Sequence, residues 1–310
     1  MYKSEIYGKG GIYAKVVTDS TANGVRATTM ELRYPRFIHS EFMTHRVFSR
    51  NASSSRAIPV AKNIEQVKEN PAMPIFWGKN QKGMQAREEN YTPIGFAPFQ
   101  TSVPIFREDA WKYASLVAIA YAKQFEAAGY HKQIVNRLLE PFQFISVIVT
   151  STEWDNFFSL RLHPDAQPEI QELAKCMKEA RNQSFPFVFE EGMWHTPYID
   201  GGVSKGYNGQ QIENIVKCSA ARCARVSYLN HDNSLPDYEK DLVLAHRLLE
   251  SKHMSPFEHQ LTPIPAFDFD DPEEIYKDQW EKGVTHIDRN GILWSGNMRG
   301  WIQYRQIIQN

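Results

Sequence analysis

The chain has 310 residues, of which 42% are hydrophobic, and this length provides enough apolar material for a buried core in one or two domains. Its formal net charge of -1 excludes a general attraction to nucleic acid polymers or to membranes, so any phosphate must be bound by locally placed arginines. No apolar run approaches the roughly 20 residues of a membrane helix, and three cysteines argue against a disulfide framework and form no metal-binding pattern; we therefore expect a cytoplasmic enzyme without a metal.

Short strands and longer helices are predicted to alternate along the chain. Residues 28–34 alternate polar and apolar like a half-buried strand, and Pro35 ends it. In the helix predicted next, one face carries Ile38, Phe42 and His45. A basic, hydroxyl-rich run, 44–56, follows this strand and helix and is typical of a phosphate-binding loop.

Further elements are predicted from periodicity and from turn residues. The predicted segments are a buried helix over 111–128 that Gly129 ends, a strand over 142–150, a helix from about Thr152, an amphipathic helix over 237–252, and two long surface excursions, 70–102 and 186–209. The helix over 111–128 is predicted to pack one face into the core. That face consists of Trp111, Ala114, Val117, Ala118, Tyr121 and Phe125.

Three blocks of sequence resemble the flavin-dependent thymidylate synthases. In the first, the pair His45-Arg46 precedes Ser54 by the seven-residue spacing of the family signature, and Arg56 follows. The second block is 156–161 with 165–171. The third, 224–228 and 253–259, resembles elements that the family normally carries near the N-terminus.

The position of the third block suggests a circularly permuted member of that family. A strand-like stretch over 260–269 and a helix-like segment over 297–305, similar to the one that carries His45, suggest that a strand-helix unit occurs at both ends. The resemblance implies an α+β fold and a single catalytic domain over 1–310. Within it, 1–200 carries the His-Arg, serine-loop and Arg161 segments, and 201–310 carries the block that is normally N-terminal.

The resemblance also implies a reaction, the C5 methylation of deoxyuridylate. Arg161 matches the arginine that favours ionisation of the uracil ring, so it is the predicted catalytic residue. An alternative is that Arg161 only pairs with Asp165 or Glu169 along one helix face. The residues predicted to bind the pyrimidine deoxynucleoside monophosphate are Glu41, Thr44, Ser53, Ser54, Ser55, Arg56, Arg137 and Arg161.

By the same resemblance the cofactors are FAD, NADPH and methylenetetrahydrofolate, and the flavin carries the hydride and relays the one-carbon group. The chain is expected to form a homo-oligomer, a tetramer as in the family, with sites shared between subunits. The predicted cofactor-binding residues are His45, Arg46, Val47, Thr150, Ser151, Thr152, Asn156, His253 and Ser255.

Several residues depart from the family pattern and leave the substrate open. Thr44 replaces an arginine, and Ala52, Ala57 and Asp165 stand where other residues are common. We hypothesise that Arg299 or Arg305 restores the lost charge. Deoxyuridylate methylation, methylation or hydroxymethylation of deoxycytidylate by the same chemistry, and an inactive nucleotide-binding relative are the three functions compatible with the sequence.

Overall fold

The computed structural model describes residues 4–96, 101–200, 206–226, 235–265 and 280–309. Its centre is a six-stranded sheet in the order β1-β2-β3-β7-β4, with β8 parallel to one end of β2 and the other neighbours antiparallel. The strands of this sheet are β1 (Glu5–Tyr7), β2 (Tyr13–Ala22), β3 (Val25–Pro35), β4 (Ser49–Ala52), β7 (Phe144–Ser151) and β8 (Phe187–Val188).

Alternation along the strands gives the sheet two buried faces. Val147 and Val149 of β7 lie in the main core, whereas Ile148 between them lies in a second cluster on the opposite face. The predicted strands over 28–34 and 142–150 are confirmed as β3 and β7, which pair along eight positions from Thr28↔Ser151 to Pro35↔Phe144. The segments that follow these two strands are therefore brought to neighbouring places.

Helices cover both faces of the sheet. Leu173 and Met177 of α6 pack into the main core, and Cys223 of α7 packs into the cluster on the other face. The helices are α1 (His39–Phe42), α2 (Val60–Glu69), α3 (Arg107–Ala127), α4 (Lys132–Val135), α5 (Asp155–Arg161), α6 (Pro168–Gln183), α7 (Gly209–Arg225), α8 (Tyr238–Glu250) and α9 (Tyr304–Gln309). Mixed helices and antiparallel sheets confirm the α+β class.

The predicted helix over 111–128 is confirmed as α3, and Gly129, with φ 83°, ends it. Its predicted burial is only partly right, because Tyr121 is 61% exposed and Ala114 is also exposed. The helix packs by a narrower face, centred on Ile119 and Ala122, against α2 and the 3-10 turn Asn136–Phe142. Tyr113, Leu116 and Tyr121 leave an apolar strip on its outer side.

The predicted helix at the C-terminal end is wrong over most of its length. Met298–Arg299 and Trp301–Gln303 form strands, and helix is present only from Tyr304, in α9. Of the predicted strand over 260–269, β9 is present and 266–279 lies outside the described residues. The short strands outside the central sheet are β5 (Ile94–Phe96), β6 (Thr101–Ile105), β9 (Leu261–Pro263), β10 (His286–Ile287), β11 (Leu293–Ser295), β12 (Met298–Arg299) and β13 (Trp301–Gln303).

Other local predictions agree with the structure. The helix predicted over 237–252 is α8, and its N-cap, Asp237, accepts a hydrogen bond from the Lys240 backbone N–H at 2.9 Å. The helix expected from about Thr152 begins at Asp155. None of the helices in the described ranges combines the length and apolar character that crossing a bilayer requires.

The packing of α6 against the sheet is expected to be a main source of stability. Leu173→Ala should lower the free energy of unfolding by about 2 to 5 kcal/mol, because it leaves a cavity under the sheet. Urea denaturation measures this change. Lys178→Ala, on the exposed side of the same helix, is the control and should change stability by less than about 0.5 kcal/mol.

Candidate functional site

The site begins at the α1 turn, the segment 36–48 that contains α1 and joins β3 to β4. Helix α1 ends at Phe42, so His45 lies in a turn and not on the predicted helix, yet Ile38, Phe42 and His45 are all buried as their shared face predicts. The turn is closed by Arg50, whose Nη1 donates to the carbonyls of Met43, at 2.8 Å, and His45, at 3.0 Å. The position of the His45 ring is thereby fixed.

Arg161, the last residue of α5, meets this turn. Its Nε donates to His45 Nε2 at 2.9 Å, and its Nη2 donates to Thr44 Oγ1 at 3.3 Å. Its Nη1 lies 3.7 Å from Glu41 Oε2. In the described part of the chain Arg161 thus has partners on the α1 turn, and it does not form the alternative pair with Asp165 or Glu169.

The His45 ring is a neutral acceptor. It packs edge to face on Phe157, with ring centroids 4.8 Å apart, and against Phe48. Burial, with the positive charges of Arg161 and Arg50, lowers the pKa of His45 to about 4. At neutral pH the unprotonated Nε2 can therefore hold the Arg161 guanidinium in one orientation.

A cavity of about 780 Å³ opens beside Arg161. Phe37, Phe76 and Trp111 line one part of it, and Glu41 and Arg161 supply charge. Part of its wall comes from the 70–102 excursion, including Pro74, Phe76 and Met84. The long excursion predicted from composition therefore contributes directly to this cavity.

A second cavity, of about 510 Å³, holds the other predicted arginines. Arg56 and Arg137 line it together with Phe125, Ile134 and Leu138, and it shares no lining residue with the cavity of Arg161. Arg137 Nη1 lies 2.8 Å from Glu140 Oε1.

The three serines of the loop differ in their availability to a ligand. Ser54 is exposed, whereas Ser55 is buried and donates to Glu140 Oε1 at 3.0 Å. Ser53 Oγ accepts a hydrogen bond from the Ser146 backbone N–H at 3.2 Å. Ser54 is therefore the loop serine most open to a phosphate.

A family model described as thymidylate synthase complementing protein matches residues 19–187, which is more than half of the chain. The chain belongs to the flavin-dependent thymidylate synthase family. A search of curated proteins found no match. The matched range contains the α1 turn, the serine loop and Arg161, and membership implies a thymidylate synthase type of function.

The cysteines do not resemble nucleophiles. Burial raises the pKa of Cys176 to about 11 and that of Cys218 to about 12, and it also raises the pKa of Cys223. A thiol needs a lowered pKa to attack a pyrimidine ring at neutral pH. The arginine beside the large cavity is thus better placed for pyrimidine chemistry than any of the three thiols.

The predicted flavin residues fall into two groups. Arg46, Asn156 and His253 are exposed and could contact a flavin. The others are engaged within the chain: Ser151 Oγ bonds to Glu153, Ser255 Oγ donates to Asn51 Oδ1 at 2.8 Å, and Thr150 is fully buried. Arg46, Asn156 and His253 are thus accessible to a ligand, but none of the predicted cofactor-binding residues lines either of the two cavities above.

The C-terminal segment forms hydrogen bonds to two of the residues predicted to bind the flavin, Val47 and Thr152. Asn297 Nδ2 donates to the Val47 carbonyl at 2.9 Å, and the Arg299 backbone N–H donates to Thr152 Oγ1 at 3.0 Å. Arg299 is also paired with Glu153 at 2.6 Å, and Arg305 is paired with Glu258. Neither arginine lines the cavity of Arg161, so the structure does not favour the hypothesis that they restore the lost charge there.

Sequence patterns did not reveal Asn297, which holds the α1 turn at its far end. It lies 250 positions from Val47 in the sequence. The sequence feature that pointed to this segment was its similarity to the predicted helix of His45, and that similarity predicted the wrong secondary structure. Within the third block, Ser227 and Tyr228 lie outside the described residues.

A buried chain of hydrogen bonds links Thr150 to two histidines. Thr29 Oγ1 lies 2.7 Å from both Thr150 Oγ1 and His195 Nε2, and Ser20 Oγ lies 2.8 Å from His195 Nδ1. Thr150 Oγ1 also lies 2.8 Å from His259 Nδ1, and His259 Nε2 has no partner in the described structure. Burial lowers the pKa of His195 to about 4 and that of His259 to about 3.

These lowered pKa values predict acid sensitivity. The unfolded chain binds protons on these histidines near pH 6.5 and the folded chain does not, so stability is full above pH 6.5 and falls as the pH drops toward 4. His259→Asn keeps a polar group near the position of Nδ1 but removes one of the two protonatable rings. The slope of the free energy of unfolding against pH should therefore decrease by the equivalent of about one bound proton. Urea denaturation between pH 8 and 5 measures the slope, with His246→Asn, at an exposed position on α8, as the matched control.

Proposed function

We propose that this protein methylates C5 of deoxyuridylate, using methylenetetrahydrofolate as the one-carbon donor, NADPH as the reductant and FAD as the flavin. The observation that carries the proposal is the fixed Arg161 guanidinium at the wall of a cavity of about 780 Å³. Family membership supplies the reaction type, and the raised pKa values of the cysteines favour a route without a thiol nucleophile.

Arg161 is proposed to activate the pyrimidine. Negative charge that develops on the ring nitrogen and oxygens makes C5 nucleophilic, and a guanidinium beside that edge stabilises the charge. His45 acts through Arg161, because its neutral Nε2 accepts from Nε and, with Thr44 Oγ1 accepting from Nη2, holds the guanidinium at the cavity wall. The aromatic lining from Phe37, Phe76 and Trp111 would shield the ring from water.

The phosphate is proposed to bind Ser54, Arg56 and Arg137. Arg56 and Arg137 border one cavity and Arg161 borders another in one chain. A nucleotide that contacts both sets would therefore take them from two copies of the chain, in agreement with the proposed homotetramer. The apolar strip of α3, formed by Tyr113, Leu116 and Tyr121, provides surface for such an assembly.

The flavin is proposed to contact the exposed side chains of Arg46, Asn156 and His253. When bound, it supplies the hydride that completes the methyl group. Arg46 suits an anionic group of the cofactor, since it is exposed and has no hydrogen-bond partner among the described residues.

We further propose that the chain is a permuted, single-domain member of the family. The family model ends at residue 187, and the block that resembles N-terminal elements follows it. Ser255 and His259 of that block bond to β4 and β7, so the block packs on the matched sheet. A block that permutation has moved to the C-terminal end of the chain would have to pack on this same sheet.

The direct test is to incubate the flavin-loaded protein with methylenetetrahydrofolate and NADPH, with deoxyuridylate or deoxycytidylate, and to identify products by mass spectrometry. Thymidylate supports the proposal. A cytosine product with an added methyl or hydroxymethyl group would favour the second candidate, for which the Glu41 carboxylate beside Arg161 is the structural argument. No product from either would indicate an inactive relative.

Arg161→Ala is expected to lower kcat by about 100- to 1000-fold, because it removes the charge directed at the ring. Steady-state kinetics with deoxyuridylate measure the loss, and the absorbance of bound flavin shows whether the cofactor site survives. Arg289→Ala, at an exposed position that lines neither cavity, is the matched control and should retain activity. Full activity of Arg161→Ala would exclude the proposed role.

Arg56→Ala and Arg161→Ala are expected to complement each other. If one nucleotide contacts both residues from different chains, mixed oligomers contain some sites with two intact contributions. Mixing the two inactive variants, after dissociation and reassembly, should therefore restore a measurable fraction of wild-type activity. Mixtures that stay as inactive as the separate variants would show that both residues act within one chain.

A further inference from the structure

One carboxylate oxygen, Oε1 of Glu140, is the meeting point of three side chains near the proposed phosphate site. It lies 2.8 Å from Arg137 Nη1 and 3.0 Å from Arg36 Nη2, and Ser55 Oγ donates to it at 3.0 Å. Arg36 belongs to the α1 turn, and Ser55 belongs to the serine loop, the segment 53–59 between β4 and α2. Bonds between a guanidinium and a carboxylate are charge-assisted and therefore strong. Glu140 thus connects the serine loop to Arg137.

Arg137 is the side chain whose freedom this contact restricts most. Its side chain is 56% exposed, whereas that of Arg36 is 19% exposed. A long, exposed side chain loses rotamer freedom when it binds a ligand, and this loss weakens binding. Glu140 accepts from Nη1 of Arg137 and leaves other N–H donors of the guanidinium for a ligand. Part of the ordering is therefore complete before a phosphate arrives.

The backbone of the serine loop is held by a different residue of the same 3-10 turn. The fully buried Asn136 donates from Nδ2 to the Ser55 carbonyl at 2.7 Å and to the Ile58 carbonyl at 3.0 Å. These two carbonyls flank Arg56 in the sequence. Loss of the Glu140 carboxylate should therefore leave the loop folded and change only the side chains that the carboxylate contacts.

We propose that Glu140 is a positioning residue of the phosphate site, which holds Arg137 and the Ser55 side chain in place for the phosphate of a nucleoside monophosphate. The inference rests on the proposed function, because it takes Ser54, Arg56 and Arg137 to be the phosphate ligands. A carboxylate close to these arginines also repels a phosphate. Positioning is expected to dominate, because Arg137 is more than half exposed and water screens the repulsion there.

Equilibrium binding to the full, flavin-loaded protein, measured by isothermal titration calorimetry, tests the inference with deoxyuridylate and with deoxyuridine, which lacks the phosphate. Glu140→Ala should weaken binding of deoxyuridylate by about three- to ten-fold, because the ligand alone must then order Arg137. Binding of deoxyuridine should stay unchanged, since the nucleoside has no group for the phosphate site. Equal weakening of both ligands would show a merely structural role and would overturn the inference.

Two further variants separate positioning from charge. Glu140→Gln removes the charge but keeps an oxygen that can accept from Ser55 and Arg137, so it should bind deoxyuridylate more tightly than Glu140→Ala does. Glu126→Ala removes the same charge at an exposed position on α3, next to the cavity residue Phe125, and is the matched control with wild-type affinity expected. Tighter binding of deoxyuridylate by Glu140→Ala than by the wild-type protein would overturn the inference, because repulsion would then outweigh positioning.

Steady-state kinetics separate this inference from the proposed reaction. Glu140→Ala should raise KM for deoxyuridylate and leave kcat unchanged, because the phosphate is bound equally in the ground state and in the transition state. Thymidylate production with an unchanged KM in Glu140→Ala would refute the inference and leave the methylation intact. An affinity for deoxyuridylate that depends on Glu140, in a protein that forms no product, would refute the methylation and retain the inference.

Discussion

The hydrogen bond from Arg161 to His45 is the interaction on which the candidate site depends. It joins the end of α5 to the α1 turn, two segments 116 positions apart, at an Nε to Nε2 distance of 2.9 Å. The bond requires an unprotonated Nε2, and burial of the ring against Phe48 and Phe157 keeps it so. Packing of the His45 ring against Phe48 and Phe157 thereby helps to fix the orientation of Arg161 at the cavity wall.

The position of the α1 turn is in turn set from two sides. Arg50 binds its carbonyls from within β4, and Asn297 binds the Val47 carbonyl from the C-terminal segment. Gln303 adds a bond from Nε2 to Ser49 Oγ at 3.0 Å. The C-terminal strands, which lie outside the range matched by the family model, thus restrict the motion of the segment that carries Thr44 and His45.

Local patterns in the sequence predicted the elements whose burial repeats regularly. Strand β3 and helix α8 could be predicted because their apolar side chains alternate or recur with a single period. Strand β7 could be predicted because it is a short run rich in Ile, Val and Phe. Helix α3 shows the limit: its apolar residues surround the helix, so composition could not tell which side meets α2.

The predicted candidate site shows the same limit. Family resemblance indicated Glu41, His45 and Arg161 one by one, but not that the guanidinium would contact both other side chains. That contact arises from the pairing of β3 with β7. The C-terminal strands were predicted as a helix for a related reason. Their residues pair with β9 and with one another, and such distant partners leave no local period.

The Glu41 carboxylate beside Arg161 changes the electrostatic environment that a ligand of the cavity would meet. An arginine alone would give the strongest positive potential at the ring edge, and a carboxylate 3.7 Å away reduces that potential. Burial raises the pKa of Glu41 and the charge of Arg161 opposes this rise. When a base covers the partly exposed carboxylate, its lost hydration must be replaced by a donor, or binding is weakened by about 1 to 3 kcal/mol. Any ligand of this cavity must therefore supply an N–H or O–H donor to Glu41, a requirement that an arginine alone would not impose.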